Sequence, residues 1–310
     1  MRKIAIICAA VVLLAVACQK TEKDYSVRMV PVTFTASALD TKTSLDGVHV
    51  EWTAGDVILV GKMESIANGS VSIGTNVFEL TAQSSGASSV FSGELPAELI
   101  EGGTGFALYC VPGLYQVYVA NNGSSGKRCS PRWSSPETQT GVCNGVASNT
   151  LMLYAYTNDG DGSDGTSSDI DFAGKTINFH PGFALIKVGV VGSNIKKINL
   201  STAEAATTKN NIMGGSTMNF NIKSGQWSLV SATGALQSLD LLPETGLATF
   251  APGNYYFAIP ACRTADNSIT GLTITYTKSD DTTVSKTAES VLKAMSGKIY
   301  NTGIDETKCN

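Results

Sequence analysis

Polar and apolar residues alternate one for one along most of this chain, and a period of two admits little besides β-strands with one buried face. Val30, Val32, Phe34 and Ala36 alternate with Pro31, Thr33, Thr35 and Ser37. Successive side chains on a strand point to opposite faces, so the first four share one apolar face. Pro31 has no amide hydrogen to give a ladder, which puts this strand near a sheet edge or the proline at its start. The pattern returns in Val48-His49-Val50-Glu51-Trp52 and, after a turn at Ala54-Gly55-Asp56, in Val57-Ile58-Leu59-Val60. Strands are predicted again at 77–80, 89–91, 105–111 and 151–157. Beyond them lie 176–179, 183–191 and 195–200. Met218, Phe220 and Ile222 alternate with Asn219, Asn221 and Lys223, Ser224-Gly225 turns the chain, and Trp227 and Leu229 return, which is the clearest hairpin. Segments 255–259, 272–277 and 298–304 read as closing strands. Only 96–101 and 291–295 offer a turn or two of helix. Segments 113–149 and 158–169 read as irregular excursions.

Composition agrees with this reading. Only 15% of the 310 residues are charged, against about 25% in an average soluble protein, so the stock from which exposed helical faces are built is missing. Many short strands joined by Gly, Asn and Ser turns predict an all-β chain of β-sandwiches. The loop near Asp169 divides it into an N-terminal sandwich with long loops, 30–172, and a C-terminal sandwich, 173–310. The 22 basic and 26 acidic residues give a formal charge of −4. That leaves no basic field for a phosphate backbone, and nucleic acid is excluded as a partner. His49 and His180 are the only histidines, too few for a multi-histidine metal site, and no cofactor is expected.

Residues 1–17 read as a signal peptide: Arg2 and Lys3 precede an uncharged apolar run from Ile4 to Ala17, shorter than the roughly 20 residues that span a bilayer. The ending Leu14-Ala15-Val16-Ala17-Cys18 resembles a bacterial lipoprotein signal, with Ala15 where a large aliphatic residue is usual and Leu14 one place early. It makes Cys18 the expected site of lipid attachment and 18–29 a tether. An ordinary signal cut after Ala17 is the alternative. Once Cys8 and Cys18 are set aside, Cys110, Cys129, Cys143, Cys262 and Cys309 remain, and five cannot all pair within the chain. A Cys129–Cys143 disulfide across the polar segment between them would contribute about 3 kcal/mol in the chain-entropy model. Export permits that bridge without requiring it.

Few motifs carry chemistry. The acidic run Asn158-Asp159-Gly160-Asp161-Gly162-Ser163-Asp164-Gly165 fails as an EF-hand, because Asp164 falls where glycine is needed and Ile170 where the bidentate Glu belongs. Trp52 with Asp56 reads as a core aromatic beside a turn cap. Tyr115, Tyr118 and Trp133 lie in the 113–149 segment and are the candidates for ligand contact there. No GxSxG elbow, HExxH pair or Walker loop is present, and the chain is read as no enzyme.

Three blocks carry a family resemblance: Val32-Thr33-Phe34-Thr35-Ala36-Ser37, then Thr41-Lys42-Thr43-Ser44-Leu45-Asp46-Gly47, then Val50-Glu51-Trp52-Thr53-Ala54-Gly55-Asp56-Val57-Ile58. Together they resemble the N-terminal signature of the fimbrillin family, lipoprotein precursors of type V pili in Gram-negative anaerobes. Phe91-Ser92-Gly93-Glu94-Leu95, Ile177-Asn178-Phe179-His180 and Ser296-Gly297-Lys298-Ile299-Tyr300 follow in the family's order. The resemblance implies two transthyretin-like sandwiches in tandem and a structural, adhesive role at the outer membrane and cell surface. It implies a lipid anchor in the outer membrane, other pilin subunits as partners, and a glycan or protein of a host or bacterial surface as a target. In that family the first strand is removed by proteolysis and replaced by a strand from a neighbour; here the removable strand is Val30, Val32, Phe34 and Ala36. The linker after it offers Lys42 for processing where the family has arginine, and Arg28 lies before the strand. A subunit that keeps its strand as an anchor, accessory or tip pilin is the other outcome. A monomeric surface lipoprotein that binds glycans through 113–149 is the alternative function.

Overall fold

The computed structural model describes residues 28–37, 51–67, 70–102, 105–110, 115–121, 127–134, 138–146, 152–157, 169–203, 217–221, 226–229, 237–261 and 268–310. The signal peptide, Cys18, Lys42 and the acidic run 158–165 lie outside them. The chain is nearly all β. Its largest sheet contains β1 (Met29–Ser37), β2 (Val57–Ala67), β3 (Ser70–Ala82), β4 (Ser88–Pro96), β5 (Gly105–Cys110), β9 (Met152–Tyr156), β10 (Ile170–Asp171), β11 (Thr176–Asn178) and β12 (His180–Pro181). Their spatial order is β10-β11-β1-β4-β3-β2-β5-β9-β12. A second sheet, ordered β18-β13-β23, is built from β13 (Phe183–Val190), β18 (Gly253–Pro260) and β23 (Ile299–Asn301). A third contains β8 (Thr138–Gly141), β14 (Ile195–Ser201), β17 (Ser238–Pro243), β20 (Thr273–Lys278) and β21 (Thr283–Thr287), in the order β21-β20-β14-β17-β8.

Two hairpins, β6 (Tyr115–Asn121) with β7 (Lys127–Ser134) and β15 (Thr217–Asn221) with β16 (Gln226–Leu229), join as a four-stranded sheet ordered β16-β15-β7-β6. A small ladder pairs β19 (Ser268–Ile269) with β22 (Leu292–Lys293). One short helix, α1 (Ala97–Ile100), follows β4, and a 3-10 turn, Glu306–Lys308, lies near the C terminus. The expected irregular segment 113–149 therefore holds three strands. The expected helical turn at 291–295 is β22, because Leu292 finds a cross-strand partner in Ile269.

Two hydrophobic cores form, and the second sheet serves both. Phe183 and Leu185 of β13 and Tyr256 and Ala258 of β18 join the core that holds Phe34, Trp52, Phe91 and Phe172. Their neighbours Ala184, Ile186 and Val188, with Tyr255, Phe257 and Ile259, enter the other core beside Ile198, Leu241 and Tyr276. Alternate residues thus face opposite cores, which is why these strands read as unbroken apolar runs. The sheets thus lie in layers around two cores, the all-β sandwich packing that the sequence predicts.

Strands also cross the anticipated boundary at 172/173. β8, from the N-terminal part, runs parallel to β17 as the edge of the third sheet. β11, from beyond the boundary, runs parallel to β1 in the first. The C-terminal residues fold back onto the second core. The Gly189 amide donates to Ile304 O at 2.9 Å, the Val191 amide donates to the Glu306 carboxylate at 2.9 Å, and Ser285 and Asn310 exchange main-chain bonds.

Candidate functional site

β1 alternates exposed and buried residues along its length. Val32, Phe34 and Ala36 are buried and Val30 is half-buried. These are the four residues that the sequence pattern puts on one apolar face. Phe34, 1% exposed, meets Phe172 edge-on with ring centroids 5.8 Å apart. Around this seat Trp52 packs edge-on against Phe91 at 4.9 Å and Phe179 at 5.5 Å, which makes Trp52 a core residue. Asp56 accepts the Thr53 amide at 2.7 Å and closes the turn before β2.

The two sides of β1 differ. Toward β4 it is paired antiparallel along its whole length, from Met29↔Pro96 to Ser37↔Ser88. Toward β11 it is paired only at Thr35, Ala36 and Ser37, in parallel. The Thr35 amide donates to Lys175 O at 2.9 Å, and the Phe179 amide donates to Ser37 O at 3.4 Å. In an extended strand the main-chain groups of successive residues point to opposite sides, so Pro31 and Thr33 turn theirs the same way as Thr35. No described strand pairs with them on that side. Pro31 therefore stands where its missing amide hydrogen costs no ladder bond. The expectation of an edge strand holds for the first part of β1 and not for Thr35–Ser37, which β11 covers.

The β10–β11 hairpin is rooted at both ends. Asp169, 6% exposed, receives His180 at 2.7 Å, Nε2 to Oδ1. The Asp169 amide donates to Tyr156 O at 3.1 Å, and the Asn178 amide donates to Asp169 O at 2.8 Å. Gly174 donates to Asp171 Oδ1 at 2.8 Å across the turn, and Ser37 Oγ donates to Asn178 Oδ1 at 3.1 Å. At the far end of β1, the Ala97 amide at the start of α1 donates to Arg28 O at 2.8 Å, and Arg28 forms an exposed ion pair with Glu101.

The other sequence candidates fall elsewhere. Tyr115 and Trp133 are direct cross-strand partners, and Trp133 is in turn opposite Met218. Tyr118 is opposite Ser130 in the same ladder. Cys129 is opposite Val119 in the β6–β7 ladder. Cys143 is an exposed free thiol that donates to Pro252 O at 3.7 Å. Among the described residues no group of three or more His, Cys, Asp or Glu side chains gathers, and no helix is long and apolar enough to cross a membrane. A cleft of about 530 Å³ opens beside β23, lined by Val291, Leu292, Lys293 and Tyr300 among others.

One buried polar residue escaped sequence reasoning. Gln139 of β8, 2% exposed, donates Nε2 to Ala258 O at 2.7 Å, and the Ala258 amide donates to its Oε1 at 3.0 Å. No local pattern marks it, because its partner lies on the edge of a different sheet.

No family model matches the sequence, and no curated protein matches it. Among solved structures, the chain is similar to the tip fimbrial protein Mfa3 from Porphyromonas gingivalis with C-terminal truncation: 11% identity, 88% of this chain and 94% of that chain covered, TM-score 0.38. It is also similar to the fimbrial anchor protein Mfa2 from the same organism: 14% identity, 85% and 82% covered, TM-score 0.33.

Proposed function

We propose that this chain is a fimbrillin-like subunit of cell-surface fibres, exported as a lipoprotein held at the outer membrane through Cys18, with β1 as its exchangeable strand. The observation that carries the reading is the seat of β1. The strand places Val32, Phe34 and Ala36 in the core and is bonded to β4 from end to end. The linker Ala38 to Gly47 read from the sequence follows it. Taking β1 away leaves a groove floored by Phe91, Leu95 and Phe172 and edged by the open main chain of β4. That groove suits an incoming strand, whose main-chain bonds supply affinity and whose alternate side chains fill the vacated positions. The signature from Val32 to Ile58 supports the same reading. Processing at Lys42 makes the chain a polymerising subunit, and retention of β1 makes it an anchor, accessory or tip subunit.

The test is to treat the purified chain beginning at Cys18 with a trypsin-like protease. Cleavage between Ser37 and Gly47 followed by a ladder of oligomers supports the polymerising form. A cut chain that remains monomeric under every condition, including added strand peptide, overturns strand exchange. A second reading, glycan binding by the monomer, is favoured by the side-by-side register of Tyr115 and Trp133. Glycan-array binding lost on Trp133→Ala supports it, and an array with no binding removes it.

A further inference from the structure

Resting on the reading of β1 as exchangeable, we infer that the β10–β11 hairpin is a catch on that strand: β1 peels from its Met29 end, and its pairing with β11 sets how fast it comes away. Among the described residues, Met29 to Phe34 are bonded on one side only, whereas Thr35 to Ser37 are bonded on both. The short second ladder thus falls at the end of β1 that adjoins the linker. The hairpin that supplies it is a held element. Its base is closed by His180 on the buried Asp169 carboxylate and tied to β9 through the Asp169 amide. It places Phe172, Ile177 and Phe179 in the same core as Phe34. Freeing the last residues of β1 therefore requires breaking the Thr35–Lys175 and Ser37–Phe179 main-chain bonds while the hairpin stays in place. A strand bonded on one side detaches one residue at a time; a strand bonded on both sides must break two ladders together.

The geometry also dictates a backbone-specific test. Thr33 and Thr35 turn their amides toward the same side of β1, and among the described residues only Thr35 meets an acceptor there. The full chain is cut in the linker at an introduced protease site, and β1 is replaced by a dye-labelled synthetic peptide spanning residues 28–38. Three peptides are compared: unmodified, N-methylated at Thr33 and N-methylated at Thr35. The expected result is equal release of the first two and release about fivefold faster for the third, the loss of one main-chain bond. Equal release of all three overturns the catch and leaves strand exchange standing, since the peptide still binds and leaves. Failure of the unmodified peptide to bind overturns strand exchange and the catch with it.

A second measurement uses the uncut chain. In Asp169→Asn, hydrogen exchange is expected to accelerate at the Thr35, Asn178 and Phe179 amides and to stay unchanged at Val32 and Phe34, which face β4. Unchanged exchange at Thr35 overturns the catch.

Discussion

Gln139 holds Ala258 by both of its main-chain groups, with Nε2 on the carbonyl at 2.7 Å and Oε1 on the amide at 3.0 Å. Ala258 lies on β18, the edge of the sheet shared by the two cores. The carboxamide offers one donor and one acceptor at the spacing of a main-chain neighbour, and so serves as a one-residue strand. Gln139→Leu would leave a buried N–H and C=O unsatisfied, each costing about 1–3 kcal/mol. We expect the variant to lose about 2–4 kcal/mol of stability, read as a lower midpoint in urea with an unchanged slope. An unchanged midpoint would show that water replaces the amide.

Phe34→Ala tests the seat of β1. The ring is 1% exposed and lies edge-on to Phe172, so truncation should cost about 3–5 kcal/mol. Thr33→Ala, on the exposed face one residue earlier, should stay within about 0.5 kcal/mol of the parent. Similar losses at both positions in thermal or urea melts would contradict the alternation.

Gly93 lets β4 approach β3. A Cβ there would lie 2.6 Å from Glu79 O and 2.7 Å from Leu80 Cδ2, and Gly93 is opposite Val32 on one side and Leu80 on the other. Main chain cannot move aside as a flexible side chain can, so Gly93→Ala should cost about 1–3 kcal/mol. The loss should be accompanied by faster hydrogen exchange in β3 and β4.

Alkaline stability should depend on two tyrosines. Burial pushes the Tyr276 hydroxyl far above its usual range. It donates to Gly189 O at 2.9 Å and to Ile304 O at 3.1 Å, joining the C-terminal segment to β13. Tyr255 is pushed up to about 12, first by burial and then by Cys143, and donates to Ala251 O at 2.8 Å. Above pH ~10 the unfolded chain releases both phenolic protons while the folded chain keeps them. Fewer protons on the unfolded state means stability falls as pH rises through that window. We expect Tyr276→Phe to be less stable at neutral pH and to have a shallower decline between pH 10 and 12. A decline as steep as the parent's would exclude Tyr276 as its source.

Alternation made the faces of most strands legible and left their neighbours hidden. The buried set of β1 and the Met218–Leu229 hairpin follow residue by residue from the period of two. The pairing of β11 with β1 and of β8 with β17 does not, because a strand's pattern says which side is apolar and nothing about which strand lies beside it. In 113–149, Pro131 and the charged pair Lys127 and Arg128 break the alternation, and the long ladder from Tyr115↔Trp133 to Asn121↔Lys127 was hidden behind them. The candidate site divides the same way. Its strand was readable from sequence, whereas its catch depends on a hairpin more than a hundred positions away, as the separation of 141 between Ser37 and Asn178 shows.

The crossing of β8 into the third sheet also bears on how the chain reaches this state. Residues 138–141 emerge from the ribosome well before their partners on β17, and Gln139 and Ala258 are separated by 119 positions. The first core can gather most of its side chains early, but it cannot close until Tyr256 and Ala258 arrive. Contacts so distant in sequence slow the search for the native state and lengthen the time during which open strand edges are exposed. The N-terminal half therefore has no early resting point of its own; it waits, partly assembled, for the last third of the chain.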